Sequence, residues 1–573
     1  MLYFILVWLG FVPLCHLVGT TLLQIWQVRS PQRLGDRTIA ALWLGLVVLA
    51  ITLLAVSIGT PLNPVAGLAV ALVWLAAGLF SGSVRQEVWI VWRQFPRFAV
   101  GAIALLTLTA ALVAKGVSWH DSGYYHYSVL QWLGQYGTVP GLGLIFSNLA
   151  FTSTWFALSA PFNPPSLAGR GTAVMNGLVL LLMLGQMMFL GRRLLLRQMQ
   201  RSDWFLLCFS LLSISTVLLI PPLPEILVSP SPDLPMLFLV GLVGWSLLLT
   251  GDSPERGDRI LPLTLAVGAF TIKLTALPLL AVSTMFFLWH RRWTWVHLSR
   301  GFGVVTLCLA PLVGASLLMS GCPLFPSDLL CLDLPWSLSP QAIATSAKGT
   351  HSVAHWMGQA PAGFPPLLWT AWAWVQHSRA RQISTLLSIG AIGVGIWVLR
   401  RYGWRQWRPE VWVIGMGLAG ILLLQVTSPF FRFTIAYILL VLALGLAIGL
   451  PKAGRVSLAR IAALGQPRHR LAALGFFLAA WITAVDLART SIAQGLLPPP
   501  MYSRTAIVQR QVNGIPYAAP RTGDIADGDP EKKDMCWATP IPCAYEIPQD
   551  VFLRDPERGL DGGFERRRSA RKK

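Results

Sequence analysis

Apolar residues in this chain run on continuously instead of alternating with polar ones. Runs of about 18 residues fall at roughly 2–26, 38–58, 63–80, 98–117, 170–190, 203–220, 234–250, 299–319, 383–399, 411–427, 433–450 and 471–488. Two shorter runs, 260–272 and 274–289, flank Lys273. Segments of this kind are spanning helices, and the pattern predicts about fourteen of them. A membrane barrel is excluded, because its strands alternate apolar and polar positions. The predicted fold is an all-α polytopic membrane protein. Residues 1–97 form a three-helix N-terminal segment, and 98–490 a core with outer loops at 118–168 and 320–382. Residues 491–573 form a polar, partly disordered tail.

Composition agrees. Hydrophobic residues make up 54% of the chain and charged ones only 12%, against about 25% in soluble domains. The net charge of +21 does not point to nucleic acid, because arginine and lysine gather in short loops between apolar runs. These sets begin with Arg29, Arg33 and Arg37, continue with Arg85, Arg93 and Arg97, and then Arg192, Arg193, Arg197 and Arg201. Counting fourteen spans puts every basic set on one side, as the positive-inside rule requires. Both termini then lie on the outer face, which in a bacterial inner membrane is periplasmic. The first run lacks a basic leader and a small-residue cleavage site, so it reads as a retained span.

The isolated polar clusters share the outer face. The densest is Trp119-His120-Asp121-Ser122-Gly123-Tyr124-Tyr125-His126-Tyr127, directly after the run 98–117. Such a cluster is costly beside lipid and fits chemistry better than packing. Asp121 is the candidate general base, with Lys115 near enough in sequence to keep it ionised. The plainer reading is a cap for a helix starting near Ser122. His120, Asp121 and His126 offer donors for a divalent metal, but their spacing matches no standard ligand set, so no cofactor is indicated.

Lys273, between two short runs, reads as the tip of a hairpin offering an ammonium to a phosphate; simple snorkelling is the alternative. Arg432 stands alone on the outer face, suited to an anionic partner or a lipid headgroup. Asp233 opens a helix and is either functional or only its cap. Residues 127–136 and the Trp369, Trp372, Trp374 segment predict surface helices at headgroup depth. Cys322 with Cys331, and Cys536 with Cys543, are candidate disulfides on an oxidising face.

The run HDSGYYHYSVLQWLGQYGTVPGLG (120–143), with FTSTWFALSAPF (151–162), resembles a family of bacterial multi-pass membrane proteins carrying an HDSG-x-YH outer-loop element. Ser229-Pro230-Ser231-Pro232-Asp233, Ile272-Lys273-Leu274-Thr275, Pro429-x-x-Arg432-Phe433 and CWATPIPC in the tail fit the same pattern. The chain departs from it at Leu144-Ile145-Phe146-Ser147-Asn148, where a histidine and an arginine are expected. That family resembles in turn the GT-C superfamily of polyprenyl-phosphate-sugar glycosyltransferases. The resemblance implies Asp121 as base and Lys273 and Arg432 as contacts to the lipid phosphate. His120, Tyr124, His126 and Asp233 join them as substrate-binding residues. The partners it implies are a polyprenyl-phosphate sugar and an acceptor hydroxyl. A transporter or flippase for a lipid-linked or polar substrate is the rival, and it would call for broken helices near the bilayer midplane.

Overall fold

A computed structural model describes residues 1–30, 33–94, 96, 99–251, 259–289, 294–351, 360–377, 379–402, 408–428, 430–463, 496–499, 507–521 and 535–567. The fold is mostly helical. Among the described residues nine helices are long and apolar enough to span a bilayer. They are α1 (Leu2–Ile25), α2 (Leu34–Ser57), α8 (Val174–Leu195), α9 (Arg201–Leu219), α11 (Asp233–Thr250), α14 (Trp295–Ser320), Arg381–Tyr402, Pro409–Thr427 and Phe431–Leu450. The last of these belongs to the longer helix Phe431–Ala463.

Of the fourteen expected spans the described residues hold nine as full-length helices, or ten if a bent pair counts as one span, and the differences are local. The run at 63–80 becomes α3 (Pro64–Phe80) and bends by 101° into α4 (Gly82–Arg93). Ser81 ends α3 and caps α4, its hydroxyl accepting from the Val84 N–H at 3.4 Å. The run at 98–117 folds only as α5 (Ala99–Val113). The runs beside Lys273 become α12 (Ile260–Ile272) and α13 (Leu277–Leu288), 13 and 12 residues long. The run 471–488, Pro429 and parts of the later basic loops lie outside the described residues.

Polarity along the helices sorts the bundle into two ends. At one, Arg33 donates to Asp36 at 2.6 Å and to Asp203 at 2.8 Å, and Arg193 reaches Asp203 at 2.7 Å. Asp36 and Asp203 are fully buried, so these guanidiniums supply the pairing their charges need. Arg201 pairs with Glu410 at the same end. The α12–α13 hairpin returns there too, where Arg259 donates to the Phe286 carbonyl at 3.1 Å. Helices α1 and α2 pack backbone to backbone, since a Cβ on Gly19 would fall 1.8 Å from the Ala41 carbonyl oxygen.

The opposite end is closed by loops and by the tail. Helix α6 (Tyr127–Gln135) was expected to lie in the interface. Instead Tyr127 through Leu133 are all buried, packed with the short helix α7 (Thr154–Ser159). The described parts of the tail are ordered. Strands β1 (Ile507–Val512) and β2 (Ile515–Pro520) form a hairpin turned at Asn513-Gly514, both at positive φ, which suits a tight two-residue turn. Strands β3 (Val551–Leu553) and β4 (Phe564–Arg566) pair antiparallel. This second ribbon docks on the core, with Phe564 N–H donating to the Pro140 carbonyl and Arg566 N–H to that of Pro335, each at 2.9 Å.

Candidate functional site

Four charged side chains from four distant segments meet at the tail-covered end. Asp121 immediately precedes a π-helical turn, Ser122–His126. Asp233 is the first residue of α11. Lys273 sits in extended backbone between α12 and a 3₁₀ turn at Leu274–Ala276. Arg432 lies in the first turn of the helix Phe431–Ala463. The local sequence explains each break. Proline at 232 and 278 favours a helix start, and the polar Lys273 has its partner across the fold.

The cluster alternates in sign. Arg432 Nη1 lies 3.3 Å from Asp121 Oδ2, and its Nε lies 3.7 Å from Asp233 Oδ2. The other Asp233 oxygen accepts from Lys273 Nζ. His120 Nδ1 stands 3.6 Å from Asp121 Oδ1. Aromatic rings wall the cations. The Arg432 guanidinium is 4.9 Å from the Phe433 ring centre and 5.1 Å from that of Trp119, and Lys273 Nζ is 3.9 Å from the Phe433 ring centre. Side chains of Asp121, Lys273 and Arg432 keep 21–26% exposure, while Asp233 keeps 7%. Three of the four charges are thus reachable from outside.

These contacts bear on the capping and snorkelling readings. Neither Asp121 nor Asp233 caps a helix with its side chain; both carboxylates face cations instead. Lys273 does not snorkel, because its ammonium is held by Asp233. The guanidinium against Asp121 is that of Arg432, where the sequence pointed to Lys115. Burial alone would push the Asp121 carboxyl up. The Arg432 charge outweighs it, helped by the neighbouring His120 and His126 imidazoles, and holds the carboxyl well below the usual carboxylate range. Burial pushes His126 down to about 4 against the pull of Asp121 and Asp233, so its ring is neutral at physiological pH. Burial and the Asp121 charge raise the Tyr124 and Tyr125 phenols.

Two polar atoms beside the cluster, Ser122 Oγ and His126 Nδ1, are buried with no protein hydrogen-bond partner. Buried groups of this kind need an ordered water or a ligand to satisfy them. The His126 ring packs on Tyr125 and Phe156, at 4.5 and 5.1 Å between centres.

The tail lies directly over this loop. Trp537 N–H donates to the Gly123 carbonyl at 3.0 Å, and its indole covers Gly123 so closely that a Cβ there would fall 2.4 Å from the ring. Tyr545 packs obliquely on Tyr124 and edge-on to Phe146, at 5.6 and 5.5 Å between centres. Sequence reasoning placed Trp119 in the polar stretch and quoted Phe433 beside Arg432, but missed Phe146, Trp537 and Tyr545 as parts of this site. The aromatic residues around CWATPIPC were the available signal for the last two. Disulfides join Cys322 to Cys331 and Cys536 to Cys543, at 2.07 and 2.02 Å. Among the described residues no three His, Cys, Asp or Glu side chains gather as a metal-holding set.

The bundle and its charge cluster define a class: a multi-pass helical membrane protein with a partly open set of paired charges at one end. Within that class, the chain belongs to the family described as Domain of unknown function (DUF8201), which it matches over residues 1–439. The matched region holds Asp121, Asp233, Lys273 and Arg432 and ends before the tail. No curated protein and no solved structure matches the chain.

Proposed function

We propose that this chain is a GT-C-type glycosyltransferase of about fourteen spans, working on the outer, periplasmic face of a bacterial inner membrane. The observation that carries the reading is the convergence of Asp121, Arg432, Asp233 and Lys273, which puts a carboxylate and two cations within reach of one small ligand. The donor is a polyprenyl-phosphate sugar and the acceptor carries a hydroxyl. Asp121 takes the hydroxyl proton as the oxygen bonds to the anomeric carbon. The bond from that carbon to the phosphate oxygen breaks, and its electron pair leaves with the lipid phosphate beside Arg432 and Lys273.

One feature of the site bears on the timing. While Arg432 faces Asp121, the carboxylate is ionised but a poor base. A donor phosphate that draws Arg432 toward itself restores the basicity of Asp121, so base strength follows donor occupancy. His120, Tyr124 and His126 line the acceptor side of this arrangement, and Asp233 orients Lys273.

The test is transfer of labelled sugar from a polyprenyl-phosphate donor in membranes holding the full chain. Asp121→Asn that inserts normally is expected to lose about 10²- to 10⁴-fold in rate. Full retained activity would remove the assignment. The rival reading, transport of a lipid-linked substrate, is favoured by one observation. The α12 and α13 arms are about 20 Å long at most, short of a roughly 30 Å hydrocarbon core, and they meet at a charged residue as transporter half-helices do. Labelled substrate crossing sealed vesicles with no glycosidic product would decide for transport.

A further inference from the structure

Two tail residues that touch the Asp121 turn flank a single disulfide. Trp537 directly follows Cys536, and Tyr545 stands two residues after Cys543. The Trp537 N–H donates to the Gly123 carbonyl at 3.0 Å, and the Tyr545 ring lies against Tyr124. The Cys536–Cys543 bond therefore ties the two contact points to each other.

The two arms of this loop are held differently. On the Cys543 side, the Ala518 N–H donates to the Pro542 carbonyl and the Ala544 N–H to the Ala518 carbonyl, each at 3.0 Å. Those bonds fasten the arm to strand β2 whatever the state of the sulfurs. On the Cys536 side, Trp537 has φ +41°, in the left-handed region that bulky side chains rarely adopt. That arm is kept against its own backbone preference, by a turn in which the Thr539 N–H reaches the Cys536 carbonyl at 2.9 Å and by the disulfide. Without the sulfur bond the Trp537 backbone is free to relax, which carries the indole away from Gly123.

We infer that the Cys536–Cys543 pair is an oxidation-dependent latch. Its closure seats Trp537 on the turn that follows Asp121, and its opening releases Trp537 while leaving Tyr545 in place. Cys536 and Cys543 are 2% and 1% exposed, so the bond forms before the tail docks and is shielded afterwards. In forming it, the two thiols give up two protons and two electrons to the disulfide of a donor. The donor leaves as a dithiol, by thiol–disulfide exchange. This end of the bundle is thus completed only in an oxidising compartment, whatever the site binds.

The experiment is hydrogen exchange, resolved to single amides, on the full chain in micelles. The wild type is compared with the double variant Cys536→Ser, Cys543→Ser. Losing closure of so short a loop is expected to speed exchange of the Trp537 amide on the order of 50-fold. The Ala518 and Ala544 amides are expected to change less than about threefold, their bonds to the β2 arm being kept. Unchanged protection of Trp537 overturns the inference, and so does an equal loss at all three amides, which would mean that the tail comes away as one piece. If the double variant fails to fold, the rate at which dithiothreitol opens the disulfide decides. Gly123→Ala, which crowds the indole, is expected to be reduced about tenfold faster than the wild type, because docking and closure favour each other reciprocally. Equal rates overturn the latch.

Discussion

Removing Asp233 tests whether the charge cluster is an interacting unit. Its two carboxylates and two cations sum to zero. Asp233→Asn leaves the cluster at +1 with Lys273 facing an amide, and Lys273→Met leaves it at −1 with Asp233 facing Arg432 alone. Asp233 is 7% exposed and Lys273 21%, so each single change leaves a net charge in a largely buried cluster, a cost of up to about 3–5 kcal/mol for well-buried pairs. The double variant returns the cluster to zero and keeps the Asp121–Arg432 pair. The expected coupling is therefore at least about 2 kcal/mol. The assay is SDS titration of the four proteins in mixed micelles, followed by helical circular dichroism. Additivity of the two single effects to within about 0.5 kcal/mol would refute the argument that Asp233 exists to hold Lys273.

Other expectations follow from the same geometry. Gly123→Ala forces its methyl into the Trp537 indole; overpacking of this kind costs about 1–3 kcal/mol, and limited trypsin digestion is expected to cut the tail at Arg510 or Arg521 sooner than in the wild type. Unchanged cleavage would mean that the indole is not held there. His126 has its folded-state value lowered by burial to about 4, so between pH 6.5 and 4 the unfolded chain binds the extra proton. Its contribution to stability is present above pH 6.5 and lost as pH falls toward 4, by about 3 kcal/mol in all. Melting at pH 7, 5.5 and 4 is expected to show that loss in the wild type and a shallower one in His126→Phe.

Much of the fold was legible because lipid leaves few options: a continuous apolar run must be a helix. What length alone hides is a break inside a run. Ser81 ends the run 63–80 and the chain turns there by 101°, a turn that Ser81-Gly82-Ser83 signals but run length alone does not. The unusual charges were also legible, since Lys273 and Arg432 stand alone among apolar residues. Their partners were not, because Lys273 and Asp233 are 40 residues apart and Arg432 comes from a helix much later still. A capping aspartate and an ion-paired one look the same in sequence. Helix α6 shows the complementary limit. Its amphipathic pattern suits a membrane surface, yet Ser128 and Gln131 are 2% and 6% exposed, their side turned toward other protein.

The two cations of the cluster are not equivalent, and the difference bears on which of them a phosphate would take. Asp233 holds Lys273 in direct contact. Arg432 approaches Asp121 and Asp233 at 3.3 and 3.7 Å, both longer than the roughly 2.7–2.9 Å of a close charged hydrogen bond. Its guanidinium is positioned as much by the rings of Trp119 and Phe433 as by either carboxylate. A planar fork held by stacking keeps its edge available for a bidentate anion, something an ammonium cannot offer. Under the glycosyltransferase reading Arg432 is then the exchanging cation and Lys273 the fixed one. Arg432→Lys would preserve charge and lose the fork, so it should weaken donor binding while leaving Asp121 ionised. Should Arg432→Lys bind and turn over donor like the wild type, point charge alone would suffice and the exchange argument would fail.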